Sequence, residues 1–138
     1  MLTTQCLCTK LRRSARAVTR VYDDALKGVG LTTAQFSLLR HLSRLEQPSI
    51  SDLAEAMGLD RSTLGRNLKP LEADGLVKLE EGEDLRNRIV ALTPAGLERI
   101  VRGGEAWDAA QQDVAVHLGD DKRRQLEALL DELAALES

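Results

Sequence analysis

The chain has 138 residues, enough for one compact domain with its own core and too few for two ordinary ones. Leucine and alanine supply 41 residues while Phe, Trp and Tyr occur once each, which favours helices packed by aliphatic side chains. No apolar run approaches the ~18 residues of a membrane helix, and no signal-peptide layout opens the chain, so a cytoplasmic protein with no membrane partner is expected.

The net charge of −3 weighs against indiscriminate binding to nucleic acid, but the charge is unevenly spread. Residues 10–20 hold five bases and no acid, and residues 119–138 hold six acids against three bases. A local basic face on an acidic protein is therefore allowed. Residues 2–27 read as a helix with Leu7, Leu11, Ala15, Val18, Tyr22, Ala25 and Leu26 as its apolar stripe, ended by Gly28 and Gly30. A second helix is expected over 33–45, capped by Thr32 or Thr33, with Phe36, Leu39 and Leu42 on one side.

After Pro48 and Ser49 comes a short helix with Ile50, Leu53, Ala54 and Met57 on one face, stopped by Gly58, and Asp60 offers a cap for the next. That next helix is fixed in rotation by Leu64, Leu68 and Leu71, which are i, i+4 and i+7. Ser62, Arg66 and Lys69 then point away from the core, with Arg61, Thr63 and Asn67 on the flanks and no acid from 61 to 69. Hydroxyl, amide, guanidinium and ammonium groups on one outer face are the groups that read base edges and phosphates. Two helices around a glycine turn form the pattern of a helix-turn-helix.

Residues 76–81 and 88–92 alternate apolar and polar, as half-buried strands do, around a tip at 82–87 that displays Arg86 and Arg88. A long cation at such a tip can enter the narrow, electronegative minor groove. Thr93 and Pro94 then open a long helix with Leu97, Ile100, Val101, Trp107, Val114 and Leu118 as its stripe, interrupted by Gly103 and Gly104, where a kink is expected. A last helix after Gly119 repeats Leu126, Leu129, Leu130, Leu133 and Leu136.

With Asp84-Leu85-Arg86 and then Val90-Ala91-Leu92-Thr93-Pro94-Ala95-Gly96, the chain resembles the MarR family of bacterial regulators, whose D-x-R precedes V-x-L-T-x-x-G. The Leu71-Glu72 to Gly75-Leu76 ending of the preceding helix agrees, and the resemblance covers essentially the whole chain. It implies a mainly α, winged helix-turn-helix fold with a small β-hairpin wing. The single domain 1–138 would divide into a reading head at 32–93 and dimerisation helices at 1–31 and 94–138, the alternative being that those helices fold back on their own domain.

A two-fold homodimer would set two reading helices about one DNA turn apart on a palindrome. The expected DNA contacts are Arg61, Ser62, Thr63, Arg66, Asn67, Lys69, Arg86 and Arg88, with Asp84 holding Arg86. Two positions depart from the family: Gly65 replaces a polar residue, often Thr, and Pro70 stands inside the helix, where it should bend or end it.

Cys6 and Cys8 are too close for an unstrained disulfide, and with only His41 and His117 elsewhere they make a poor metal site. The two histidines, isolated on helices, read as structural or surface residues. Cys8 stands near a helix start beside Lys10, Arg12 and Arg13, conditions that lower a thiol pKa. It lines up with the peroxide-reacting cysteine of the family's organic-hydroperoxide-sensing branch, and Tyr22 matches a partner tyrosine, although Arg12 and Thr33 occupy the places of the other partners. An inert, partly buried cysteine is the favoured reading, with redox sensing as the alternative.

Relatives bind small, often aromatic acids between dimer helices and reading heads, which makes Arg16, Phe36 and Trp107 the candidate effector pocket. The expected function is a DNA-binding transcriptional regulator, a homodimeric repressor released by a small-molecule effector. Thiol sensing through Cys8 is one alternative, and a protein-interaction module without DNA is another. No phosphate loop or nucleophile arrangement points to an enzyme, and no cofactor is expected.

Overall fold

The computed structural model describes residues 6–82 and 87–137. Six helices and a hairpin follow in the order α1 (Leu7–Leu26), α2 (Thr33–Arg44), α3 (Ile50–Met57), α4 (Arg61–Ala73), β1 (Val77–Glu80), β2 (Ile89–Leu92), α5 (Pro94–Leu118) and α6 (Asp120–Ala134). The mainly helical, winged helix-turn-helix class expected from the sequence is the fold observed.

Local chemistry sets most of these boundaries. Thr32 and Gln35 form a reciprocal capping box at the start of α2, with Gln35 N donating to Thr32 Oγ1 at 3.1 Å and Thr32 N to Gln35 Oε1 at 3.0 Å. Asp23 of α1 then ties the two helices, because its Oδ1 accepts both the Thr33 amide (2.7 Å) and the Thr33 hydroxyl (2.6 Å). Ser49 Oγ caps α3 by accepting from Asp52 N at 3.1 Å.

The core lies inside the reading head. Phe36, Leu38 and Leu39 of α2, Leu53 of α3, Leu64 and Leu71 of α4, and Leu76, Val77 and Val90 of the hairpin are essentially closed to solvent. Leu38 joins the expected Phe36, Leu39 and Leu42 because α2 is covered on more than one side, touching α3, α4, β2 and α5 as well as α1. Burying a side chain of this size stabilises by roughly 1.5–3 kcal/mol, so the head holds most of the molecule's own hydrophobic stabilisation.

Hairpin and head are joined through backbone. Val77 pairs with Leu92 and Glu80 with Ile89 in antiparallel register. On the far side of β2, Ile50 N donates to Arg88 O and Val90 N to Pro48 O, both at 2.9 Å. The approach to α3 thus acts as a third short edge on β2.

The motif Thr93 to Gly96 closes the hairpin onto α5. Thr93 Oγ1 accepts from Gly96 N (3.1 Å) and donates to Gly75 O (2.6 Å). A side chain at Gly96 would collide with the Leu76 carbonyl, so one residue caps the helix and the other permits its close approach.

Helix α5 runs unbroken through Gly103 and Gly104, and Gly103 is there for packing, since a Cβ would come within 2.6 Å of Phe36. The buried positions are Gly96, Gly103 and Ala110, whereas Leu97 and Val101, two members of the expected apolar stripe, are 53% and 69% exposed. The α1 stripe is likewise buried only at its end, at Leu26. α6 has no buried residue at all.

Candidate nucleic-acid interface

The reading face is built by the turn between α3 and α4. Gly58 (φ +66°) takes the left-handed conformation that ends α3, a state that costs other L-residues about 1 kcal/mol or more. Asp60 restarts the chain as a helix, its Oδ1 accepting from Thr63 N at 2.7 Å. Leu64, Leu68 and Leu71 are buried, as their spacing predicts, and Ser62, Arg66 and Lys69 are exposed on the opposite side. Thr63 and Asn67 are half-buried on the flanks and Arg61 is exposed.

Electrostatics on this face are organised by one acid. Asp60 Oδ2 accepts from the Thr63 hydroxyl at 3.1 Å, and Thr63 Oγ1 accepts from Arg66 Nη2 at 3.2 Å. The Asp60 carboxyl lies below its ordinary value, chiefly because the Thr63 amide and then the Thr63 hydroxyl bond its charged form, with the Arg66 charge adding to this. Thr63, expected to reach DNA, has its hydroxyl engaged within the helix.

The two departures from the expected pattern behave differently from one another. Pro70 is exposed and does not end α4, which continues to Ala73, and Lys69 keeps an exposed position on the outer side. At Gly65 an added Cβ would meet nothing within 4 Å, so the missing side chain is an open place on the surface.

At the wing, Asp84 and Arg86 lie outside the described residues. The wing's base is secured by residues on either side of them. Asn87 Oδ1 accepts from Ser51 N at 3.0 Å, which hooks the hairpin to the start of α3. Arg88 Nη2 donates to Leu79 O across the hairpin at 3.1 Å, so part of the guanidinium expected to face DNA braces the strands. Sequence reasoning missed Asn87, since nothing in a turn asparagine signals a partner 36 residues away.

The effector trio is not gathered in one place. Phe36 is wholly buried, with its ring 5.2 Å from Trp107. Arg16 lines a shallow depression on α1 with Ala15, Thr19, Arg20 and Asp23. The cations beside Trp107 are instead Arg40 and Arg44, which with Ser37 and His41 surround a cleft of about 170 Å³. Arg40 stands 5.7 Å over the Phe36 ring. His41 donates from Nδ1 to Ser37 O at 2.8 Å.

Cys6 and Cys8 are both free and exposed. The Cys6 thiol is held below its ordinary value, first by the Thr9 hydroxyl and then by the amides of Thr9 and Cys8. Tyr22 is not beside Cys8. Fourteen residues of one helix separate them by roughly 21 Å, and the Tyr22 hydroxyl donates to Gln111 while its ring packs 4.6 Å from Trp107. Burial pushes the Tyr22 phenol up. Among the described residues no group of three His, Cys, Asp or Glu side chains could hold a metal, and no helix is long and apolar enough to cross a membrane.

Comparison with known proteins bears on this geometry. The profile of the MarR family matches residues 29–86. A putative transcriptional regulatory protein for the hcr operon of Thauera aromatica is 30% identical over 125 residues, which are 89% of this chain and 75% of the relative. The organic hydroperoxide resistance transcriptional regulator of Bacillus subtilis is 32% identical over 91 residues, 65% of this chain and 62% of that one. For that relative and for the B. subtilis regulator YwoH, at 64%, the match spans a little under two thirds of the relative's length. Among solved structures, the M. tuberculosis transcriptional regulator MosR in complex with DNA is 34% identical with a TM-score of 0.81, over 97% of this chain and 100% of that one. These proteins are transcriptional regulators.

Proposed function

The chain belongs to the MarR family of DNA-binding transcriptional regulators, and on that premise we propose that it is a homodimeric repressor of a palindromic operator, released by a small anionic effector. The observation that carries the reading is the outer face of α4. Three leucines bury its inner side, and Ser62, Arg66 and Lys69 stand exposed opposite them with no acid from 61 to 69. Arg66 and Lys69, flanked by Arg61 and Asn67, contact the major groove and its phosphates, and Thr63 acts through Arg66. Arg86 and Arg88 contribute at the wing, with Asp84 as the support of Arg86.

Pairing of two copies is supported by apolar surface that one chain leaves open. Leu126, Leu129, Leu130 and Leu133 of α6 are exposed, as are Leu7, Leu11, Val18 and Val21 of α1. A 15-residue helix is marginal by itself in water, and an apolar face of this extent marks a protein contact. The acidic α6 and the basic α1 make a second copy a complementary occupant. The effector is assigned to the cleft of Arg40, Arg44 and Trp107, where cations stand beside an aromatic wall.

A second reading, control by oxidation at Cys8, is favoured by the exposure of that thiol and by the similarity to a hydroperoxide resistance regulator. Since Cys8 and Tyr22 of one chain stand roughly 21 Å apart, any meeting of the two would have to occur between copies. Treatment with an organic hydroperoxide should then abolish DNA retention by wild type and spare Cys8→Ser; equal responses sink that reading.

The main proposal is tested by selecting fragments from random DNA. An inverted repeat with half-sites about one turn apart is expected, and the absence of any enriched sequence overturns it. Arg86→Ala should weaken binding to all sequences and flatten the salt slope by about one unit per chain. An unchanged slope would remove the wing from the interface.

A further inference from the structure

Asp60 stands where a DNA-reading helix begins, although a carboxylate near phosphates is repelled. Its bonds give it another role. One oxygen takes the Thr63 amide at 2.7 Å, the other takes the Thr63 hydroxyl at 3.1 Å, and that hydroxyl oxygen takes Arg66 Nη2 at 3.2 Å. The three residues are spaced three apart, so each stands about one turn beyond the last along the same side of α4. Since Asp60 occupies the Thr63 amide, that amide is closed to a phosphate.

Resting on the assignment of α4 to the DNA, we propose that Asp60, acting through Thr63, is a positioning residue that holds the Arg66 guanidinium ready for a bidentate contact with guanine, and so sets base preference at one position of each half-site. An unrestrained arginine loses much rotamer freedom when it binds, and one already tethered loses less. One N–H is committed to Thr63, and the remaining donors suffice for guanine O6 and N7. The low pKa of Asp60 keeps it ionised through the neutral range, so the relay is intact where DNA is bound.

The test uses a duplex selected from random DNA by the wild-type protein, together with duplexes carrying each base at each position. Arg66→Ala should lose on the order of tenfold or more of the discrimination at one position per half-site. Asp60→Asn retains a capping oxygen but removes the charge and turns an acceptor into a donor facing the Thr63 hydroxyl. It should lose about fivefold at that same position, with Tm and salt slope unchanged. Thr63→Val, of similar shape but without the hydroxyl, should do the same.

In an Arg66→Ala background neither change should alter discrimination further. Equal loss of affinity for all bases, or discrimination kept by both Asp60→Asn and Thr63→Val while Arg66→Ala loses it, overturns the positioning role and leaves reading by Arg66 standing. Discrimination kept by Arg66→Ala overturns both.

Discussion

Helices α4 and α6 are both leucine-bearing and amphipathic, yet they stand in opposite states. In α4, Leu64, Leu68 and Leu71 are 0%, 2% and 0% exposed, and the outer face from 61 to 69 carries hydroxyl, amide and cationic groups. In α6 nothing is buried, and Leu129 and Leu133 are 56% and 41% exposed. The contrast separates two kinds of unfinished surface. The polar face of α4 belongs to a helix already stabilised from behind, so it can wait in water for nucleic acid. The apolar face of α6 has no buried residue among the described ones, and it is the face we propose a second copy covers.

The most damaging change to this division should be a charge in the α6 face. Leu129→Glu with Leu133→Glu is expected to yield monomers in sedimentation and to reduce operator affinity about 100-fold or more, because the second reading head no longer binds at high effective concentration. Dimers that persist would move the pairing surface elsewhere. On the other side, Leu64→Ala should cost about 3 kcal/mol in denaturant unfolding, the range for a fully buried leucine. A cost no larger than that of Leu129→Ala in the separated monomer would erase the contrast.

Smaller changes sharpen it. Asn87→Ala removes the hook from the wing's base to Ser51 N and should lower stability by about 1 kcal/mol. Its effect on DNA affinity should exceed that stability loss if the hook also orients the wing, which parallel titrations would separate. Gly65→Ala should raise stability by roughly 0.5–1 kcal/mol, as a Cβ there meets nothing within 4 Å; a decrease in Tm would mean that the open place is needed.

The reading head was legible because its signals are periodic and local. Leu64, Leu68 and Leu71 gave the rotation of α4, and Gly58 and Asp60 gave the turn. The errors fall where packing uses residues that hydrophobicity does not mark. Along α5 the inner line is Gly96, Gly103 and Ala110, chosen for close approach, so the larger Leu97 and Val101 drew attention to the wrong side. Pro70 was expected to bend or end α4 because a helix loses one bond there; the helix does not end but runs on to Ala73, with Leu68 and Leu71 buried on either side of the proline. That Arg40 and Arg44 stand beside Trp107 while Arg16 lines a separate depression needed distances, which one sequence does not contain.

The central claim, that α4 reads DNA in pairs assembled by the terminal helices, is tested most directly by the mass of the protein–DNA complex in solution on a duplex recovered by selection. Two chains per duplex, falling to weak single-chain binding when Leu129 and Leu133 are both replaced by glutamate, is the predicted result. One chain per duplex at saturation, or undiminished affinity in that double variant, would contradict it.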